Sequence, residues 1–115
     1  MKEVNLKPLE ELSGFIGACV ADAESGMLIN SLGNFDFETA AAMNSEVVRA
    51  KLKAMKSLGL KDEIEDFLIT LGKQYHLIRP LVADRTLFIY MVLDRANGNL
   101  GLARVGLRNL EARQA

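Results

Sequence analysis

Apolar positions along this chain follow two rhythms. Over Phe37–Leu58 they recur at helical spacing, whereas over Phe15–Ala21 and Leu87–Leu93 they fill both alternating sets of a strand. The helical stretch is the longest, and no Gly or Pro interrupts it between Asp36 and Gly59. Asp36 can accept from the free N–H groups of a first turn. Gly59 supplies the left-handed residue on which Leu60 folds back toward Met55 in a Schellman closure. At about 100° per residue, Phe37, Ala41, Val48, Leu52 and Met55 fall in one narrow stripe. Ala40, Met43, Val47, Ala50, Ala54 and Leu58 form a second stripe beside it, with Asn44 and Lys51 between the two. Together they span roughly 200°, against the ~100° that covers one core. Either the helix is set deep in a single core, or one stripe lies on the chain's own sheet and the other on a partner. The larger side chains of the first stripe suit the chain's own sheet, and the small ones of the second let another helix come close.

Ahead of this helix, Leu6, Leu9 and Leu12 predict a short helix, with Pro8 tolerable in its first turn and Gly14 as its stop. Phe15–Ala21 is apolar on both faces and therefore central in its sheet. Asp22–Gly26 is turn chemistry, and Met27–Ser31 returns as the second arm of a hairpin. Beyond Gly59, the run Ile64–Leu71 predicts an edge strand opened by the acidic Glu63, Glu65 and Asp66. Gly72-Lys73 suits a two-residue type II′ turn into Gln74–Arg79, with Pro80 at the strand's end. Leu87–Leu93 is the second central strand. Asn97 or Asn99 caps a last helix with Leu100, Ala103, Leu107 and Leu110 on one face, and its Gly101 and Gly106 imply close packing. The order is α-β-β-α-β-β-β-α, an α+β single domain (1–115) with a five-stranded antiparallel sheet and helices on both faces. An unpaired edge bearing Phe67, Ile69 and Leu71 invites aggregation. The expectation is that it pairs with its copy in a twofold dimer, its carboxylates guarding the strand's start.

Composition narrows the function. At 115 residues the chain can bury a full core without staples. Its net charge of −1 gives no electrostatic case for nucleic acid or an anionic membrane as partner. No apolar run approaches the ~18 residues of a membrane span. The opening Met-Lys-Glu-Val-Asn has no signal-peptide core, so a cytoplasmic location is expected. A single cysteine fits a reducing compartment.

Candidate chemistry is sparse. His76 is the one histidine, and neither Cys nor His stands at ligand spacing to join it in a metal site. Cys19 sits in an apolar strand, where a thiol behaves as a small hydrophobe. Asp22, Asp84 and Asp94 each stand at a strand end; turn formation is the plainer role, although carboxylates that meet could do acid–base work. There is no phosphate-cradling glycine loop and no nucleophile elbow around any serine. Glu46, Arg49, Lys53 and Lys56 read as a solvated helix face. The chain is expected to be no enzyme and to need no cofactor.

The sequence also resembles the roadblock family, the dynein light-chain and bacterial gliding-regulator group. The matching pieces are Gly17-Ala18-Cys19-Val20-Ala21-Asp22 with Gly26 and Ile29, the Glu38–Ala42 opening of the long helix, and Leu93-Asp94 followed by Asn99–Arg104. The resemblance covers roughly Leu6 to Leu110. It implies a profilin-like fold with strand order 2-1-5-4-3, which puts the two doubly apolar strands at the centre. It also implies dimers, homo- or heterodimeric, joined through third-strand edges and long helices, and binding of small Ras-like GTPases as regulators or adaptors. The expected reading is a non-enzymatic dimeric regulator or scaffold that binds a small Ras-like GTPase, its interface drawn from Ala40, Met43, Val47, Ala50, Ala54, Phe67, Ile69 and Leu71. The alternative is a small-molecule-sensing or adaptor module of the same fold, with Asn30, Thr70 and Tyr90 as its polar points.

Overall fold

The computed structural model describes residues 4–114. A 3₁₀ turn, Lys7–Glu11, precedes strands β1 (Phe15–Asp22) and β2 (Leu28–Gly33), helix α1 (Phe37–Ser57), strands β3 (Phe67–Thr70), β4 (Gln74–Pro80) and β5 (Leu87–Asp94), and helix α2 (Leu100–Gln114). The strands form one antiparallel sheet in the order β2-β1-β5-β4-β3. The two strands that are apolar on both faces, β1 and β5, lie side by side in it, covered above and below. α1 packs on one face; α2 and the 3₁₀ turn pack on the other.

Register divides the core in two. Cys19 and Ile78 both face Tyr90 across their ladders, so these three share a face, where Phe37, Ala41 and Val48 of α1 cover them. Ala18 and Leu77 face Met91 and lie on the other side, under Leu107 and Leu110 of α2 and Leu9 of the 3₁₀ turn. Helix ends are made as the side chains dictate. Asp36 Oδ1 accepts from Thr39 N–H at 3.2 Å, and the Thr39 side chain together with this backbone bond holds its carboxyl below the usual range. At the other end, Gly59 adopts φ +69°, Leu60 N–H reaches Met55 C=O at 3.0 Å and Gly59 N–H reaches Lys56 C=O at 3.1 Å, the two bonds of a Schellman closure. Asn99, of the two candidate caps, is the one that accepts, from Leu102 N–H.

Several expectations are corrected. The first helix is a 3₁₀ turn, Lys7–Glu11, and not an α-helix. β2 runs two residues further, to Gly33. β3 covers only Phe67–Thr70, and arginines hold the segment before it: Arg85 Nη2 donates to the Ile64 carbonyl at 2.7 Å, and Arg104 grips the Asp66 carboxylate with two bonds of 2.9 and 3.1 Å. Gly72 has no positive φ, so its turn is not type II′. Gly106 does pack closely, against the Leu12 side chain, whereas Gly101 is exposed.

The two stripes of α1 exchange a member each. Ala40, expected outward, is buried in the chain's own core, and Leu52, expected inward, is 46% exposed. The N-terminal half of α1 lies over the β1–β2 hairpin, with Phe37 against Gly17 and Ser45 against Gly26. Arg49 marks the hairpin's end, donating to the carbonyls of Ala23 (2.6 Å) and Glu24 (3.2 Å) in its turn. Past that point the helix is largely exposed, and among its later residues Met55 is the one still buried.

Candidate interaction surface

β3 is an edge strand, paired with β4 on one side only. Phe67 and Ile69 lie opposite Ile78 and His76 and turn toward the α1 side, where they are half-buried against the core; Leu68 and Leu71 are exposed. α1 packs mainly on β1 and β2; on the same face Ile78 of β4 is buried in the shared core, while His76 of β4 and Phe67 and Ile69 of β3 are only half-buried. Along the outward side of α1, Met43 is 55% and Val47 42% exposed, with Ala50 and Ala54 exposed beside them. Between the C-terminal half of α1 and the segment leading into β3 runs an open trough of about 780 Å³, floored by Met55, Ile64 and Phe67. An unpaired apolar strand, a half-buried strip of sheet and an apolar helix face therefore lie on the same side of the domain.

Two of the three carboxylates before β3 are paired within the domain. Asp66 is held by Arg104 of α2, and Glu63 lies 3.4 Å from Arg85. They tie the connector to the body of the domain. Arg79 and Glu111 likewise tie β4 to α2, and Glu111 also accepts from Val82 N–H at 2.8 Å. Sequence reasoning missed these ion pairs, since nothing local marks partners so far apart in the chain. It also missed Phe35, whose ring stands 5.4 Å from that of Phe37 and 6.2 Å from those of His76 and Tyr90. A signal for it existed: a large apolar residue just before a helix cap commonly packs back on the first turn.

The remaining candidates resolve into structure. His76 bonds Gln74 on one nitrogen and Tyr90 on the other, and burial pulls its pKa down. Cys19 is fully buried, and burial pushes its thiol up to about 12, far from nucleophilic service at neutral pH. Asp22 and Asp84 stand at one end of the sheet and Asp94 at the other, so the three do not gather. Each accepts from backbone N–H groups of its own turn. The polar points of a sensing pocket are scattered too: Asn30 lies on the β2 edge bonded to Val4 C=O, Thr70 on the β3 edge, and Tyr90 under α1. Among the described residues, no cluster of His, Cys, Asp or Glu could hold a metal ion. No helix among them is long and apolar enough to cross a membrane.

Solved structures match the whole arrangement. A roadblock/LC7 domain from Streptomyces avermitilis superposes with a TM-score of 0.80 over 93% of this chain and 88% of its own, at 11% identity. The fold is that of a roadblock domain. Myxococcus xanthus MglB shares it at TM-score 0.76 and 19% identity, covering 93% of this chain and 82% of that one. The gliding protein MglB of Thermus thermophilus does so at 0.75 and 16%, covering 92% and 82%. At the level of sequence, no family model and no curated protein matches. The roadblock fold is thus conveyed by spacing, turns and burial pattern in a chain of very different residues.

Proposed function

We propose that this chain is a non-enzymatic, dimeric regulator or scaffold that binds a small Ras-like GTPase. The observation that carries the reading is the apolar β3 edge lying beside the outward stripe of α1. An edge strand with free N–H and C=O groups is satisfied by a twofold mate, and the exposed helix faces then meet across the same axis. Met43, Val47, Ala50 and Ala54 supply the helical contact; Phe67, Ile69 and Leu71 supply the strand, while Ala40 belongs to the chain's own core. The shared fold with the MglB gliding proteins supports a regulatory role, and the GTPase is the partner that the roadblock resemblance implies. At most, the chain alters a partner's nucleotide state; it contributes no catalytic group of its own.

Two measurements test this. Light scattering on the purified chain should report twice the monomer mass. Affinity capture from the native host, in GDP and in a non-hydrolysable GTP analogue, should recover a P-loop GTPase in one state in preference to the other. Recovery of none in either state would remove the GTPase while leaving the dimer to stand or fall on the scattering. The sensing alternative has no observation in its favour, since its polar points do not converge.

A further inference from the structure

The strip of sheet beside β3 is apolar except for one chain of polar groups. On the α1 face, β4 presents Gln74 and His76 in succession, with Ile69 of β3 opposite the imidazole. His76 Nε2 lies 2.8 Å from Gln74 Oε1, and Nδ1 lies 2.9 Å from the Tyr90 hydroxyl. An amide oxygen only accepts, so Nε2 carries the proton. Burial pushes the Tyr90 hydroxyl up to about 12, so it stays protonated and donates to Nδ1. Both ring nitrogens of the neutral form are thereby satisfied. A second proton on the ring would end the bond that Tyr90 donates, and the hydroxyl would have to turn and accept from Nδ1 instead.

Among the described residues, burial is the one influence that shifts the ring, with no charged neighbour contributing. The groups around the ring are Ile69 from β3, Gln74 from β4, Tyr90 from β5 and Phe35 from the loop before α1. Behind Tyr90, Asn44 of α1 bonds the same hydroxyl, and Cys19 of β1 is neutral with its thiol pushed to about 12. Asp94, the register partner of Gln74, spends its oxygens on Ala96 N–H and the Asn97 amide. His76 is half-buried in the single chain. A mate paired across β3, as in the dimer proposed above, would add its strand beside this strip and take the ring further from water.

We propose that His76 makes self-association through β3 and α1 proton-sensitive: the dimer forms around the neutral imidazole and weakens as the ring takes a second proton. This rests on the dimer reading above. The sign follows from linkage. Burial already holds the pKa below 6.5 in the folded chain, so the neutral ring prevails above that value and association there is independent of pH. Below it, the more exposed ring of the single chain protonates first and draws the equilibrium toward monomer. If the dimer excludes the proton fully, each ring weakens association by about tenfold per pH unit, and the two rings by about a hundredfold.

The test is sedimentation velocity at pH 7.5 and 5.5 at one ionic strength, on the wild-type chain and on His76→Gln, with circular dichroism recorded on the same samples. The wild-type dimer should be weaker at pH 5.5 than at pH 7.5 with its fold intact, while His76→Gln holds a constant Kd. Tyr90→Phe, which removes the donor facing Nδ1, should move the midpoint of the wild-type curve to higher pH. An unchanged wild-type Kd overturns the proposal, as does the same loss in His76→Gln, or unfolding in place of dissociation. A monomer at pH 7.5 removes the dimer reading itself, and this proposal with it.

Discussion

The two edges of the sheet are built to opposite ends. β2 exposes Ile29, Ser31 and Gly33, and its ladder to β1 slips at a bulge between Val20 and Ala21. Asn30 donates to Val4 C=O at 2.8 Å, laying the N-terminal segment against the strand. Gly33, at φ +103°, ends it so near the Ile16 carbonyl that no side chain fits. Bulges, polar residues and a covering segment are the devices by which an edge avoids pairing. β3 has no bulge and one polar residue: Phe67-Leu68-Ile69-Thr70 is regular in register and apolar in three of four residues. One edge is closed by its own chemistry and the other is left open. That asymmetry, more than the mere presence of an edge, is what points to β3 as the place where a second chain joins.

The sharpest way to break the comparison is a proline on each edge. Ile69→Pro in β3 should weaken the dimer by about a hundredfold or more, since a proline cannot donate to a ladder and its ring crowds a neighbouring strand. Ile29→Pro in β2 should leave the dimer intact, because Ile29 sits at the bulge and has no partner across the ladder. Light scattering over a dilution series distinguishes them; equal effects from both would abolish the distinction between the edges. A smaller effect is expected from Ala50→Glu on the outward side of α1. It should weaken association by at least about tenfold by burying a carboxylate, while the melting temperature of the monomer stays put. Val48→Glu is its inward counterpart at 1% exposure and should unfold the chain. Smallest of all is Asp66→Asn. Releasing Arg104 from the connector before β3 should cost about 1 kcal/mol or less, visible as faster proteolysis between residues 60 and 66 with the dimer retained. Dissociation in that variant would mean that the anchoring of the connector, and not the strand itself, makes the β3 edge.

How much of this was legible beforehand depends on the range of the interaction. Caps and closures act over three to five residues, and Asp36, Gly59, Leu60 and Asn99 were readable for that reason. Double apolarity located β1 and β5 at the centre of the sheet, because only strands covered on both sides can tolerate it. The outward side of α1 was readable for Met43 and Val47 but not at Ala40 or Leu52. Periodicity reports the angle of a residue around a helix; it does not report where the sheet beneath that helix ends. The length of β3 failed similarly. Ile64 has a strand former's side chain, but its carbonyl is engaged by Arg85, twenty-one residues away. Such arginine links were invisible because their partners have no local signature, and they decide the boundaries of the open edge.

Cys19 has a consequence of another sort. It is the only cysteine of the chain, set in β1 between β2 and β5 and wholly shielded, with its thiol pushed up to about 12. Thiol reagents attack the thiolate, and the folded domain at neutral pH offers them neither charge nor access. Labelling must wait until β1 leaves the sheet, an event that dismantles both cores at once. The rate of modification therefore tracks the population of opened chains when reclosing outpaces the reagent. The domain holds an internal clock for its own global opening, already in place at the centre of the sheet and silent until the structure comes apart.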